Sequence, residues 1–173
     1  DTLAAALLVR ERLGRVSDVV HASVIALALP RLLEPGEVLN NRPSLAAGND
    51  PSRPFDLETN FRIAEFKLSV WKGADAMRKR GAFKDLVALA LDDSGRRGQL
   101  FVVGDGPGHF LSTTIAKASW GLSRGSAHLR SRFIDRWGET ALDVTIAEFR
   151  RTHAAHVDVV DIGTVLSGFN SPG

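Results

Sequence analysis

The chain has 173 residues, 44% of them hydrophobic, with 22 Lys and Arg against 20 Asp and Glu and no cysteine. That is enough apolar content for one good core, which points to a single domain over residues 1–173 without internal repeats. The missing cysteines exclude a disulfide scaffold and a thiolate site, and arginine supplies 17 of the basic residues, in the fork geometry that suits phosphate.

The opening run Asp1–Arg10 lacks a basic leader and is too short an apolar stretch to span a membrane. The expectation is a soluble, cytoplasmic protein. Ser17 to Glu34 follows with Val19, Val20, Val24, Leu27, Leu29 and Leu33 at helical spacing, capped by Ser17 or Asp18. Pro30 removes a backbone donor and should kink this helix or mark the start of a new turn before Pro35-Gly36 ends it. Residues 35–54 carry four prolines, two glycines and three asparagines, the composition of a loop with at most a short strand at Ser44–Ala47. Its Asn40, Asn41, Arg42, Asn49 and Arg53 are candidates for phosphate or base contacts, and Arg42 and Arg53 are the charged ones.

Residues 55–68, Phe-Asp-Leu-Glu-Thr-Asn-Phe-Arg-Ile-Ala-Glu-Phe-Lys-Leu, predict a β-hairpin. If Asn60-Phe61 form a two-residue turn, Thr59 pairs with Arg62 and Asp56 stands opposite Glu65, their Cβ atoms about 4.5–5.5 Å apart. Glu65 and Lys67, two residues apart, share a face. Phe55, Leu57, Ala64, Phe66 and Leu68 would seat the hairpin on a core and leave the charged face open. Two carboxylates so placed repel and need a cation: Lys67, Arg62, solvent or a metal. Oxygen donors suit Mg²⁺ or Mn²⁺, and the carbonyl of Phe66 lies between the two functional side chains. Such a metal would neutralise a phosphodiester and lower the pKa of a bound water, while Lys67 either orients and deprotonates that water or acts as a fixed cation. The competing reading is the solvated face of an ordinary hairpin with cross-strand ion pairs.

Beyond Gly73, Ala74–Leu91 predicts an amphipathic helix, basic at its start, and Gln99–Gly104 a buried strand, so that helix and strand form a crossover. The run Gly104-Asp105-Gly106-Pro107-Gly108 fits neither a P-loop nor a dinucleotide fingerprint and predicts a tight turn, with a possible helix beyond Ser112-Thr113. Residues 111–156 predict helices in which Phe133 and Trp137 have core spacing, while Trp120 and nearby arginines also suit nucleic acid. His153 and His156 make a weak metal pair without a third ligand. Val157–Ile162 predicts a final strand.

Asp56 followed on the next strand by Glu65-Phe66-Lys67 resembles the PD-(D/E)XK superfamily, the restriction-endonuclease-like nucleases, in element order over roughly residues 17–105. Phe55 stands where the strict motif has proline, and Asp50 before Pro51 is the rival first acid. The resemblance implies an α/β fold with a restriction-endonuclease-like core, a central mixed sheet flanked by helices. It also implies a Mg²⁺ or Mn²⁺ site at Asp56, Glu65 and Phe66, a glutamate from the first core helix carried over to Glu34 or Glu37, whose other role is as solvated residues flanking Pro35-Gly36, and a polar residue from the next helix carried over to Lys84, whose other role is a surface lysine. The expected activity is hydrolysis of DNA, with RNA a possible substrate, and a homodimer is expected if both strands are cut. The alternatives are a catalytically silent nucleic-acid-binding or assembly module, and a nuclease toxin domain with a cognate immunity partner.

Overall fold

A computed structural model describes residues 2–41, 54–73 and 75–167. Arg42, Asn49, Asp50, Arg53 and the short strand expected at Ser44–Ala47 lie outside the described residues. Among the described residues no helix is long and apolar enough to cross a membrane.

Four strands form one mixed sheet in the order β1 (Leu57–Glu58), β2 (Arg62–Lys67), β3 (Arg97–Val102) and β4 (Val157–Asp161). β1 and β2 are the antiparallel hairpin, with Leu57 opposite Ala64 and Glu58 opposite Ile63. β2, β3 and β4 are parallel, so each successive pair needs a crossover. The first crossover is α2 (Ala76–Ala90). The second runs through α3 (Asp105–Thr113), α4 (Ala118–Leu122), α5 (Ala127–Trp137), a 3₁₀ turn at Glu139–Asp143 and α6 (Ile146–Thr152). The mixed sheet flanked by helices is the expected α/β class.

Side-chain alternation sorts the core into two layers. Ile63, Leu100, Val102 and Val157 point to one face, where α2 brings Phe83, Leu86 and Val87 and the later helices bring Phe133, Ile146 and Phe149. Leu57, Ala64, Phe66 and Phe101 point to the other, under Ile25, Ala28 and Leu32 of α1 (Thr2–Leu32) and Ile162 of α7 (Ile162–Leu166). Phe66 and Phe101 stack there with centroids 4.7 Å apart. On the first face α4 packs tightly against α2, because Gly121 leaves room for the Phe83 ring: a Cβ at Gly121 would overlap Phe83 Cδ1.

Two local expectations need correction. The first helix starts at Thr2 rather than at Ser17 or Asp18, because the Ala-, Leu- and Arg-rich segment before them is itself made of strong helix formers. Pro30 stays inside it, within the last turn. The glycine-rich run after β3 is likewise no free turn: Gly104, at φ +70°, caps α3, and Pro107 falls in the helix's first turn, where its missing N–H costs nothing.

Candidate carboxylate–lysine site

The hairpin brings Asp56, Glu65 and Lys67 together. Thr59 N–H donates to the Arg62 carbonyl at 2.9 Å, and the Thr59 hydroxyl accepts the N–H groups of Phe61 and Arg62, closing a two-residue turn. Counting outward through the Leu57–Ala64 pair sets Asp56 opposite Glu65. The ladder ends there in a particular way: the Asp56 carboxylate itself accepts the Phe66 N–H, at 2.9 Å. A strand residue directs its N–H and C=O to the same neighbour, so the Phe66 carbonyl also points to the Asp56 side of β2.

The electrostatics separate the two acids. Burial raises the Glu65 carboxyl, the Asp56 charge and a hydrogen bond to Asp56 raise it further, Lys67 pulls it down, and the balance is a pKa of about 8. Burial would also raise Asp56, but hydrogen bonds from His21 and the Phe66 N–H, with the charges of His21 and Lys67, outweigh it and hold Asp56 below its ordinary value. At neutral pH one proton therefore sits on Glu65 and is donated to ionised Asp56.

The face carrying Glu65 and Lys67 is not open, as the sequence suggests, but flanked by α2, which leaves both side chains partly exposed. Ile63 on the same face is fully buried, and from α2 Asp85 Oδ2 lies 2.6 Å from Lys67 Nζ. This contact is a charge pair rather than a well-angled hydrogen bond. From the far side of the hairpin, α1 places His21 Nε2 3.3 Å from Asp56 Oδ2, which requires the ring proton on Nε2. Sequence reasoning missed both residues. The helical period offers a signal for Asp85: it stands one turn after buried Ala82 and one turn before buried Leu89, at the edge of the core stripe. Nothing local marks His21.

Lys84, the residue singled out from α2, points elsewhere. Successive helix residues diverge by about 100°, so Lys84 lies on the opposite flank with its stem beside Gly125. Glu34 is also remote, because His21 and Leu32 alone are separated by ~16 Å of helix axis. It pairs instead with Arg62 and Arg97. Arg62, only 3% exposed, is the hub of that second cluster: its Nε and Nη2 each donate to Glu37 at 2.5 Å and its Nη1 to Gln99 at 2.9 Å. Burial acts to raise Glu37, yet the bonds from Arg62, Thr59 and the Glu34 N–H bring it down to about 2. These charges hold the structure at the opposite end of β2 from Glu65.

Among the described residues no group of three or more His, Asp or Glu is arranged to hold a metal ion. The donors at the hairpin still fit a hard divalent cation, because Mg²⁺ is commonly held by one or two carboxylates with water completing its shell. The relevant observation is the register: Asp56 and Glu65 stand opposite one another on the hairpin, and two acids so placed form a site where a cation would relieve their repulsion. His153 packs against Trp137 and Phe149 at 5.8 and 5.3 Å between ring centroids, an aromatic contact rather than a ligand set. A surface hollow of about 640 Å³ lined by Ser112, Thr145, Glu148, Arg150 and Arg151 shares no residue with the carboxylate pair.

Compared with protein families, with curated proteins and with solved structures, the chain matches none of them.

Proposed function

We propose that the chain is a metal-dependent nuclease with a restriction-endonuclease-like core, hydrolysing phosphodiester bonds in DNA. The observation that carries the reading is the hairpin register that stands Asp56 opposite Glu65, with Lys67 on the same strand face. Asp56 and Glu65 would hold Mg²⁺ or Mn²⁺, with the Phe66 carbonyl as a further oxygen donor. When bound, the cation neutralises the phosphodiester and acidifies a bound water. Asp56 is fixed for this task by His21 and the Phe66 N–H, which pin one carboxylate oxygen. Lys67, held by Asp85, offers a fixed positive charge to the oxygens on which charge builds during attack.

A second reading, the silent nucleic-acid-binding module, is favoured by one observation. The groups at the site already have partners among the described residues: Asp56 Oδ2 meets His21 Nε2 and the Phe66 N–H, and Lys67 meets Asp85. Nicking of supercoiled plasmid in Mg²⁺, Mn²⁺ or EDTA separates the two. Metal-dependent nicking by the natural chain, lost in Glu65→Gln and Lys67→Ala while their melting stays cooperative, is the expected result. A folded natural chain that retains DNA on a gel but nicks it in none of these conditions would overturn the nuclease reading in favour of the silent module.

A further inference from the structure

Beyond Lys67 the chain runs along one flank of α2. Asp85 holds Lys67 at one point, and at another Arg78 Nη1 donates to the Val70 carbonyl at 3.2 Å. Those two helix residues are seven apart, ~10 Å along the axis. Trp71 therefore lies near the start of α2, and four residues of chain keep it within ~14 Å of Lys67.

Trp71 belongs to neither apolar core. Its half-buried ring meets the half-buried ring of Phe110 on α3, at 5.7 Å and 59°, and Phe110 in turn meets Trp120 at 6.4 Å. Cations lie over these rings: Lys79 Nζ is 5.5 Å from the Phe110 centroid and the Arg80 guanidinium 4.5 Å from that of Trp120. Around Trp71 the surface is apolar and exposed, with Val70 at 58% and Met77 at 75%. Its charge is basic, since Asp75 is taken by Arg78, while Lys72 and Lys79 pair with no carboxylate among the described residues.

Half-buried aromatic rings beside cations that no carboxylate neutralises are a combination that binds unpaired bases, the solvent-facing part of a ring stacking a base while the cations follow the phosphates. A fully paired duplex buries its base faces and can use only the cations. We infer that Trp71, with Phe110, Lys72 and Lys79, forms a subsite for a single-stranded stretch of polynucleotide leading from the Lys67 end of β2. The inference rests on the nuclease reading for what happens at Lys67, but the subsite itself is a binding surface and is tested without catalysis.

The test is fluorescence anisotropy of a labelled single-stranded oligonucleotide and of its duplex, both in EDTA. The natural chain binds the single strand more tightly, Trp71→Leu weakens that binding about tenfold or more with the duplex changed less than twofold, and Trp71→Phe, which keeps a ring, recovers most of the loss. Circular dichroism melts of the two variants superimpose on the natural chain's. Equal affinity for single strand and duplex, no effect of Trp71→Leu, or binding to anionic phosphatidylserine vesicles in place of the oligonucleotide would each overturn the inference. Trp71-dependent binding of a strand that is never cleaved in Mg²⁺ or Mn²⁺ would leave the subsite standing and remove the nuclease; metal-dependent cleavage indifferent to Trp71 would do the reverse.

Discussion

Glu65→Gln replaces a carboxyl that carries a proton at neutral pH with an amide of the same shape, which can donate to Asp56 as the proton did. The consequence follows from linkage. Glu65 titrates near its ordinary value of 4.5 when unfolded and at about 8 when folded. Below 4.5 both states are protonated and its contribution is fully present. Between 4.5 and 8 the unfolded chain ionises while the folded one does not, so stability falls as pH rises and levels off above 8. At ~1.4 kcal/mol per unit the loss between pH 5 and pH 8 is on the order of 3 kcal/mol, or roughly 6–12 °C in Tm for a chain of this size. Glu65→Gln removes that slope and melts higher than the natural chain at pH 8. Added Mg²⁺ stabilises the natural chain by about 2.7 kcal/mol at a hundred times Kd, raising its Tm, and leaves the variant unchanged. Thermal melts at pH 5, 6, 7 and 8 with and without Mg²⁺ read all of this. A variant that keeps the natural slope, or melts lower at pH 8, would refute the shared-proton account.

Arg62→Ala strands Glu37 as a buried charge without its main partner and should cost roughly 3–5 kcal/mol in urea unfolding, whereas Glu37→Gln costs less because the Arg62 guanidinium left behind still meets Glu34 and Gln99. Since Glu37 is depressed to about 2, its contribution is present above pH 4.5 and lost as pH falls toward 2; acid titration of the natural chain and Glu37→Gln should diverge only in that window. Asp85→Asn releases the Lys67 ammonium and should slow plasmid nicking about 10–100-fold while changing Mg²⁺ affinity little; a full-rate variant would remove Asp85 from the site. Gly121→Ala forces a methyl into the Phe83 ring and should lower Tm by roughly 2–12 °C, with an unchanged Tm showing that α4 can move away from α2.

The hairpin was legible in the sequence because every determinant of it is local. A two-residue turn fixes the pairing, alternation fixes the faces, and together they set Asp56 opposite Glu65 with Lys67 two residues on. The parallel strands and the α2 crossover were legible for the same reason, as short apolar runs separated by an amphipathic helix. What covers each face was not, because it depends on contacts between segments far apart in the chain. Asp85 reaches Lys67 and Lys84 does not, since one step of helix rotation decides the flank. His21 reaches Asp56 because a helix beginning at Thr2 lies along the other face of the sheet, and the same helix carries Glu34 away to Arg62. The raised carboxyl of Glu65 is likewise tertiary in origin: sequence puts two acids side by side, and burial in the folded chain is the largest cause that lifts Glu65 above its ordinary value.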